Sequence, residues 1–416
     1  MKQYPFPECK LTKPLLVVYL TALLYICRDS MFTTALLGFN KAYLLTVVLT
    51  AAAGIAFLAY NRKKWNEILE DKRIYLLMAV TLVMLLPMIC KGDWQIMYLS
   101  VLFCLYIGIF FSFFADYREI SRYFVLILTV VGCYSVVATY FLRIFPDRGI
   151  FRVPVFYNSI GHMFHNFGIS IVSDEYVRMR NFGIFREPGV YQYFVLLALF
   201  LNNYTVNWKK ESTMWIVNAL LAVVMLSTLA TGGIVELAML AVAVFFHKKL
   251  YKSKKAWILL GIAATVFAVF MAFVFAQKGE LYWTIYGSFV SKFAPGADSS
   301  SDRVNAILKD LGFFLKNPLF GGVLTEVFDA VPNNTTSTML MLAIFGLAGG
   351  VVHTLSWAVL IWNEKRSTFS NLYLLLIMFM AFNTQNLIAN VFLWLLPMMA
   401  LCQKGIPWLI HRLTKE

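Results

Sequence analysis

The chain has 416 residues, of which 60% are hydrophobic and only 14% are charged. That balance excludes an ordinary soluble globular domain and predicts an integral membrane protein. The net charge of +14 is mostly carried by short segments between apolar runs. We therefore interpret the charge as a sign of membrane topology and expect no nucleic-acid partner.

Apolar runs recur along the whole sequence, separated by short polar segments. A helix needs about 20 apolar residues to cross a hydrocarbon core of about 30 Å. We therefore predict an all-α, polytopic membrane protein with a single transmembrane domain over residues 1–416. The first run lacks the small-residue cleavage site of a signal peptide, so we expect it to be a span. The twelve predicted spans are 14–28, 36–60, 74–90, 94–115, 123–145, 189–208, 213–231, 232–247, 256–276, 337–362, 371–383 and 386–402.

Lysine and arginine orient these spans. Loops 61–73 and 247–255 each carry five basic residues. Cytoplasmic loops carry an excess of such residues, so both loops are predicted to be cytoplasmic, together with both termini. The two longest loops, 145–188 and 277–336, then lie on the outer face. Long loops in a compact protein are usually functional or disordered.

Loop 145–188 is rich in aromatic residues, so we expect it to be ordered and to pack over the bundle. It contains His162 and His165, whose spacing on a helix would suit a metal. Two ligands do not make a metal site, however, and an interfacial helix is the better interpretation. No metal or other cofactor is predicted.

The end of this loop, RMRNFGIFREPG, places three arginines beside a predicted span. Guanidinium groups match phosphate oxygens bidentately and keep their charge when desolvated, so one interpretation is a diphosphate clamp. The alternative is structural, with the arginines paired to neighbouring acidic residues or to lipid phosphates. The arginines concerned are Arg178, Arg180 and Arg186.

Loop 277–336 contains a second basic centre. Arg303 precedes an amphipathic helix candidate, VNAILKDLGFFLKN, which we expect to end at Pro318 and the turn LFGG. Both long loops therefore present cations at one outer surface. Asn334 and Ser337, farther along, are good helix caps for the tenth span.

Three stretches of the sequence resemble one known family. RMRNFGIFREPGVYQYFVLLALFL resembles the signature of O-antigen and capsule polymerases of the Wzy type, in which an arginine, here Arg178, is followed by an Arg-Glu-Pro-Gly-like turn. LSTLATGGIVELAML is similar to the family's next glycine segment, with Thr231, Gly232 and Gly233 where Ser-Arg-Gly is commoner. SDRVNAILKDLGFFLKNPLFGGV resembles a stretch that these polymerases share with O-antigen ligases. Asn333 stands where related proteins often carry histidine.

The resemblance covers roughly residues 176–240 and 300–350. It implies a metal-independent, inverting glycosyltransferase with a GT-C-like fold in the bacterial cytoplasmic (inner) membrane, with an extracytoplasmic active site. The implied substrate is an undecaprenyl-diphosphate-linked oligosaccharide, whose repeat units are joined into O-antigen of lipopolysaccharide or into capsule. Membrane lipids and a chain-length regulator protein are the other implied partners. Two alternatives stay open: an O-antigen ligase that transfers polymer to lipid A core, and a lipid-linked sugar transporter or flippase.

A diphosphate leaving group gathers negative charge as the glycosidic bond breaks, so preorganised arginines lower the barrier. The predicted catalytic residues are accordingly Arg178, Arg186 and Glu187, the last either as general base or as the partner that orients an arginine. Glu236 lies about one turn into a span, where an ionisable group is expensive unless it faces a cavity or a partner. Tyr191 is a candidate for stacking on a sugar, although most rings in such a chain lie in the core or at the interface. The predicted substrate-binding residues are Arg180, Arg303, Glu236, Asn333, Asn334 and Tyr191.

Overall fold

The computed structural model describes residues 13–60, 71, 73–141, 155–157, 162–173, 179–287, 298–332, 334–405 and 407. Within them the protein is a helical bundle with one small sheet. Nine described α-helices precede the second long loop: α1 (Lys13–Ile26), α2 (Met31–Tyr60), α3 (Arg73–Lys91), α4 (Ile96–Phe111), α5 (Tyr117–Tyr140), α6 (Pro188–Tyr204), α7 (Glu211–Ser227), α8 (Thr231–His247) and α9 (Lys254–Gln277). The other described α-helices are α10 (Glu280–Ile285), α11 (Asp298–Lys316), α12 (Leu324–Ala330), α13 (Thr338–Ile361), α14 (Thr368–Phe382) and α15 (Val391–Ala400).

The helices follow the apolar pattern of the sequence. Each of the twelve predicted apolar segments overlaps one of α1–α9 or α13–α15 along most of its length. Among the described residues, four helices are long and apolar enough to cross a membrane, namely α3, α5, α9 and α13. Six further apolar helices are 10–17 residues long. The structure is therefore that of a helical protein with membrane-embedded segments, as predicted.

The described part of loop 145–188 includes a three-stranded antiparallel sheet in the order β1 (Val155–Tyr157), β2 (Met163–Asn166), β3 (Ile171–Ser173). The segment around His165 is therefore a strand, and the predicted interfacial helix is wrong. The cause is pairing: His165 is opposite Val155 on one side and Val172 on the other. The neighbouring Phe164 is buried against Met31 at the start of α2, which places the sheet on the bundle. We call this end of the bundle the sheet end.

The second long loop enters the bundle. α11 contains the predicted amphipathic helix and ends before Pro318, as predicted, but it begins at Asp298, six residues earlier than expected. The turn that follows occupies a break in α13 at Gly346, where φ is +62°. Gly322 N donates to Ala343 O at 2.7 Å, and Leu347 N donates to Pro318 O at 2.7 Å. A side chain at Gly346 would be strained at this φ and would also meet the backbone of the turn.

Lys91, at the end of α3, fastens this turn to the broken helix. Its Nζ donates to Gly322 O at 2.8 Å, to Ile344 O at 2.7 Å and to the Tyr98 hydroxyl at 2.9 Å. The Tyr98 hydroxyl donates in turn to Asp93 Oδ2 at 2.9 Å. A carbonyl freed by a helix break must be satisfied inside a membrane protein, and Lys91 satisfies it here. We call Lys91, Asp93 and Tyr98 the Lys91 clasp.

Candidate functional site

Charged side chains gather where α6 begins, at the sheet end. Arg186 Nε donates to Asp29 Oδ1 at 3.0 Å, and its Nη1 donates to Glu187 Oε1 at 2.7 Å. The Asp29 side chain is 1% exposed, that of Arg186 26% and that of Glu187 48%. The guanidinium therefore bridges a buried carboxyl group and one that reaches the surface. Its Nη2 has no hydrogen-bond partner in the described part of the chain.

The backbone holds Arg186 in place. Asp29 lies in the turn between α1 and α2, and its carbonyl oxygen accepts a bond from Arg186 N at 3.1 Å. Met31 N donates to Ile184 O at 2.8 Å beside it. Asn390, the N-cap of α15, donates from Nδ2 to Asp29 Oδ2 at 2.6 Å. Three distant segments thus meet at Asp29, and Arg186 is preorganised by them.

The charges within this group balance. Burial acts to lower the pKa of Arg186, but Asp29 and Glu187 outweigh it and leave that pKa above its ordinary value. Arg28, from the same turn as Asp29, interacts electrostatically with both Asp29 and Arg186. We call Arg28, Asp29, Arg186, Glu187 and Asn390 the Arg186 cluster. Two guanidinium groups face two carboxyl groups in it.

Glu187 is the N-cap residue of α6, and its backbone is extended. Its side chain makes no capping hydrogen bond, so the carboxyl group is engaged only with Arg186 among the described residues. Gly189 follows in the first turn of α6, and a Cβ there would lie 2.2 Å from Gln385 Nε2. The Arg-Glu-Pro-Gly segment therefore needs its glycine for the close approach of Gln385.

Arg180, predicted to bind substrate, stabilises the end of a helix. Its Nε donates to the carbonyl oxygen of Thr228, the C-cap of α7, at 3.0 Å. Asn181 reinforces the same junction, since its N donates to Ser227 O at 3.0 Å. A cation at a helix C-terminus is favoured by the helix dipole. The positive charge remains at the sheet end, near the surface.

Tyr191 does not fit its predicted role in substrate binding. The side chain is fully buried, and its hydroxyl shares a hydrogen bond of 3.1 Å with Ser135 Oγ. Its ring packs against Gly183, where a Cβ would come within 2.7 Å of it and where φ is +58°. A ring enclosed in this way cannot stack on a sugar. Tyr191 instead supports the loop that carries Arg186.

Asn334 also has a structural partner. Its Nδ2 donates to both carboxyl oxygens of Asp310, at 2.8 and 3.0 Å, and Thr336 Oγ1 donates to Asp310 Oδ2 at 2.5 Å. All three residues are buried. Burial raises the pKa of Asp310, against the opposing effect of the bonds from Thr336 and Asn334. These bonds fasten α11 to the chain before α13, so Asn334 is better explained as an anchor than as a substrate ligand.

The cap predicted at Ser337 is only partly correct. Ser337 occupies the N-cap position of α13, but its side chain makes no capping bond. Its hydroxyl donates to Gln385 O at 2.5 Å and accepts from Leu387 N at 2.9 Å. The Ser337 hydroxyl is therefore hydrogen-bonded to the loop after α14 and does not cap the helix.

Among the described residues, Glu236 is the most deeply buried of the predicted site residues with an ionisable side chain. It is 0% exposed, and neither carboxyl oxygen has a hydrogen-bond partner among the described residues. Arg303, in the second turn of α11, interacts with it electrostatically. The structure thus brings together two predicted residues from distant segments. Glu236 also lies one turn after Gly233, whose N donates to Gln192 Oε1 at 2.7 Å.

The Thr-Gly-Gly segment at the start of α8 has a packing explanation. A Cβ on Gly233 would lie 2.8 Å from Gln192 Oε1, and one on Gly232 would lie 3.1 Å from Gln192 Nε2. Gln192 Nε2 in turn approaches Thr384 Oγ1 at 3.3 Å. The glycines let α6, α8 and the end of α14 meet around one amide.

Two predicted residues, Arg178 and Asn333, lie outside the described residues. The sequence did not predict the roles of Asp29, Asn390, Gln192 and Gln385. Asp29 carried a weak signal, because the charged pair Arg28–Asp29 interrupts two apolar runs. Gln192, Gln385 and Asn390 carried no such signal, since uncharged polar residues are common at span ends.

The described residues include no group of three or more His, Cys, Asp or Glu side chains that could hold a metal ion. Comparison of the chain with protein-family models, with curated proteins and with solved structures gives no match.

Proposed function

We propose that this chain is a polysaccharide polymerase. It joins undecaprenyl-diphosphate-linked oligosaccharide repeat units at the outer face of a bacterial cytoplasmic membrane, as the resemblance to Wzy-type polymerases implies. The observation that carries the proposal is Arg186, held between buried Asp29 and half-exposed Glu187 at the start of α6. The proposal includes twelve membrane crossings, with the sheet end outside.

The position of Arg186 suits a leaving diphosphate. A bond between exposed charges is weak, so a phosphate can displace Glu187 from Arg186 at little cost. The pair with buried Asp29 stays and keeps the guanidinium oriented. The N-terminus of α6 adds partial positive charge at the same place. Arg180 supplies a further cation at the sheet end.

The same displacement releases Glu187 to act as base. The acceptor hydroxyl oxygen attacks the anomeric carbon of the donor sugar, and the bond from that carbon to the diphosphate oxygen breaks. The leaving undecaprenyl diphosphate keeps the electron pair beside Arg186, and the hydroxyl proton passes to the Glu187 carboxylate. General-base catalysis contributes about 10²–10⁴-fold, so Glu187→Gln should slow polymerisation by about 10²-fold or more.

Cells that make O-antigen provide the test. Loss of this protein should leave lipopolysaccharide with core plus one repeat unit, because a separate ligase still transfers single units. Bare core, with finished polymer retained on undecaprenyl diphosphate, would identify a ligase instead. Arg186→Ala should reproduce the loss, and Arg186→Lys should restore polymer poorly, since lysine lacks the forked geometry. Arg73→Lys, at the opposite end of the bundle, is the matched control and should leave polymer length unchanged.

A further inference from the structure

α9 packs against the bundle only near its ends. Every residue from Trp257 to Phe270 is exposed, although the helix is strongly apolar. A helix that is exposed on all sides over this length is separated from its neighbours by a gap. At 1.5 Å per residue the gap is about 20 Å long.

Both ends of the gap are closed. At the sheet end, Val274 is buried in one cluster with Leu229, against which Met179 packs. At the other end, the rings of Phe245 and Trp257 meet edge to face with centroids 5.2 Å apart. The gap between α8 and α9 is therefore bounded by contacts at its two ends. We call it the α8–α9 crevice.

The side of α8 that is turned away from the bundle is also apolar. Val235 and Val242 are 45% and 47% exposed, while Gly233, Glu236 and Leu240 on the other side are buried. α6, α7 and α14 pack on the buried side. Both helices bordering the crevice thus expose hydrocarbon side chains, which fit a hydrocarbon chain better than water or a polar ligand.

A cation lies at the sheet end of the crevice. Arg180 follows Met179, which packs in the cluster that closes this end, and its Nε bonds to Thr228 O next to Leu229. A ligand with an apolar chain would match the apolar walls of the crevice, and an anionic head group at the sheet end would match the charge of Arg180. The opposite side of α8 carries Glu236, which interacts electrostatically with Arg303.

We propose that the α8–α9 crevice binds the polyprenyl chain of the lipid-linked substrate and places its diphosphate beside Arg180. This inference rests on the proposed function and gives the lateral entry that such a substrate requires. A chain in the crevice delivers its sugar to the sheet end.

Photocrosslinking in the full-length protein tests the crevice directly. A benzophenone amino acid is placed at Val242 or at Val266, with Val130 of α5 as the matched control, because Val130 is also apolar and 65% exposed. The purified proteins are illuminated in phospholipid vesicles that contain tritiated undecaprenyl diphosphate. Label should be severalfold higher at Val242 and Val266 than at Val130. Unlabelled undecaprenyl diphosphate should compete better than undecaprenol, which lacks the charged head.

Equal labelling at all three positions, label displaced equally by phospholipid, or crosslinks to a second copy of the chain would overturn the proposal. Val242→Trp should fill the crevice and raise KM for the lipid-linked donor more than it lowers kcat, whereas Val130→Trp should do neither. Crosslinking requires no turnover, so it separates the two claims. Specific label in the crevice without polymerisation would refute the proposed function but support lipid binding in the crevice. Polymerisation without label in the crevice would support the proposed function but refute lipid binding there.

Discussion

The ion pair between Asp29 and Arg186 should stabilise the fold as well as orient the site. In Asp29→Asn the side chain keeps its shape but loses its charge. One oxygen remains to accept from Arg186 Nε or from Asn390 Nδ2, and the new amide group faces the other donor. Removing one partner of a buried pair costs about 3–5 kcal/mol. Arg186 is 26% exposed, and water recovers part of that loss. We expect Asp29→Asn to lower the free energy of unfolding by about 2–4 kcal/mol.

A double-mutant cycle measures the pair itself. Arg186→Gln and the double variant are compared with Asp29→Asn by equilibrium unfolding of the purified protein in mixed micelles. The decreases in the free energy of unfolding caused by the two single substitutions should not add, because each removes the same interaction. We expect a coupling energy of about 1–3 kcal/mol. Strict additivity would show that the two side chains stabilise the fold independently.

Asp71 and Arg73, at the opposite end of the bundle, provide the control. Their side chains form an ion pair of 2.5 Å and are 15% and 13% exposed. Asp71→Asn should also destabilise the protein but should leave polymer length unchanged, whereas Asp29→Asn should abolish polymer at equal protein level. A change of less than about 0.5 kcal/mol in Asp29→Asn, typical of an ordinary surface substitution, would refute the assigned role of Asp29.

Three further predictions concern the rest of the fold. Alkaline phosphatase fused after residue 252 should be inactive and a fusion after residue 298 active; the opposite pattern would reverse the proposed orientation. Lys91→Met should lower the free energy of unfolding by about 2–5 kcal/mol, because it removes the Lys91 donor from two buried carbonyl oxygens, and Lys91→Arg should retain part of that stability; equal losses in both would contradict the clasp. Burial raises the pKa of Asp310, so the stability that this group contributes is present below the ordinary aspartate pKa of about 3.9 and is lost as pH rises through the raised value. Unfolding measured at several pH values should therefore show that Asp310→Asn lowers the free energy of unfolding more at pH 4 than at pH 7. A decrease that grows with pH would show that the three hydrogen bonds to Asp310 outweigh its burial.

The sequence predicted the helices well because the signal is local. A run of apolar residues interrupted by charges fixes where a membrane-embedded helix begins and ends, and the amphipathic α11 with its stop at Pro318 follows from the same logic. The strand at His165 was missed because three- and four-residue strands depend on their pairing partners, which lie elsewhere in the chain. A short aromatic segment gives no period long enough to distinguish strand from helix.

The sequence indicated some residues of the site but not their partners. Arginines and glutamates beside apolar runs are conspicuous, so Arg186, Glu187, Glu236 and Arg303 could be singled out. Their partners are set by tertiary packing: Asp29 meets Arg186 across 157 positions. For the same reason Tyr191, a plausible sugar ligand by residue type, proves to be a core residue.

Reconstitution of the purified protein tests the central claim most directly. The protein is placed in vesicles with undecaprenyl-diphosphate-linked repeat units, without lipid A core and with a chelator that removes divalent metals. We expect a ladder of lipid-linked chains of increasing length, absent in Arg186→Ala and present in Arg73→Lys. Repeat units that stay single in these vesicles, and are transferred only when lipid A core or a divalent metal is added, would contradict it.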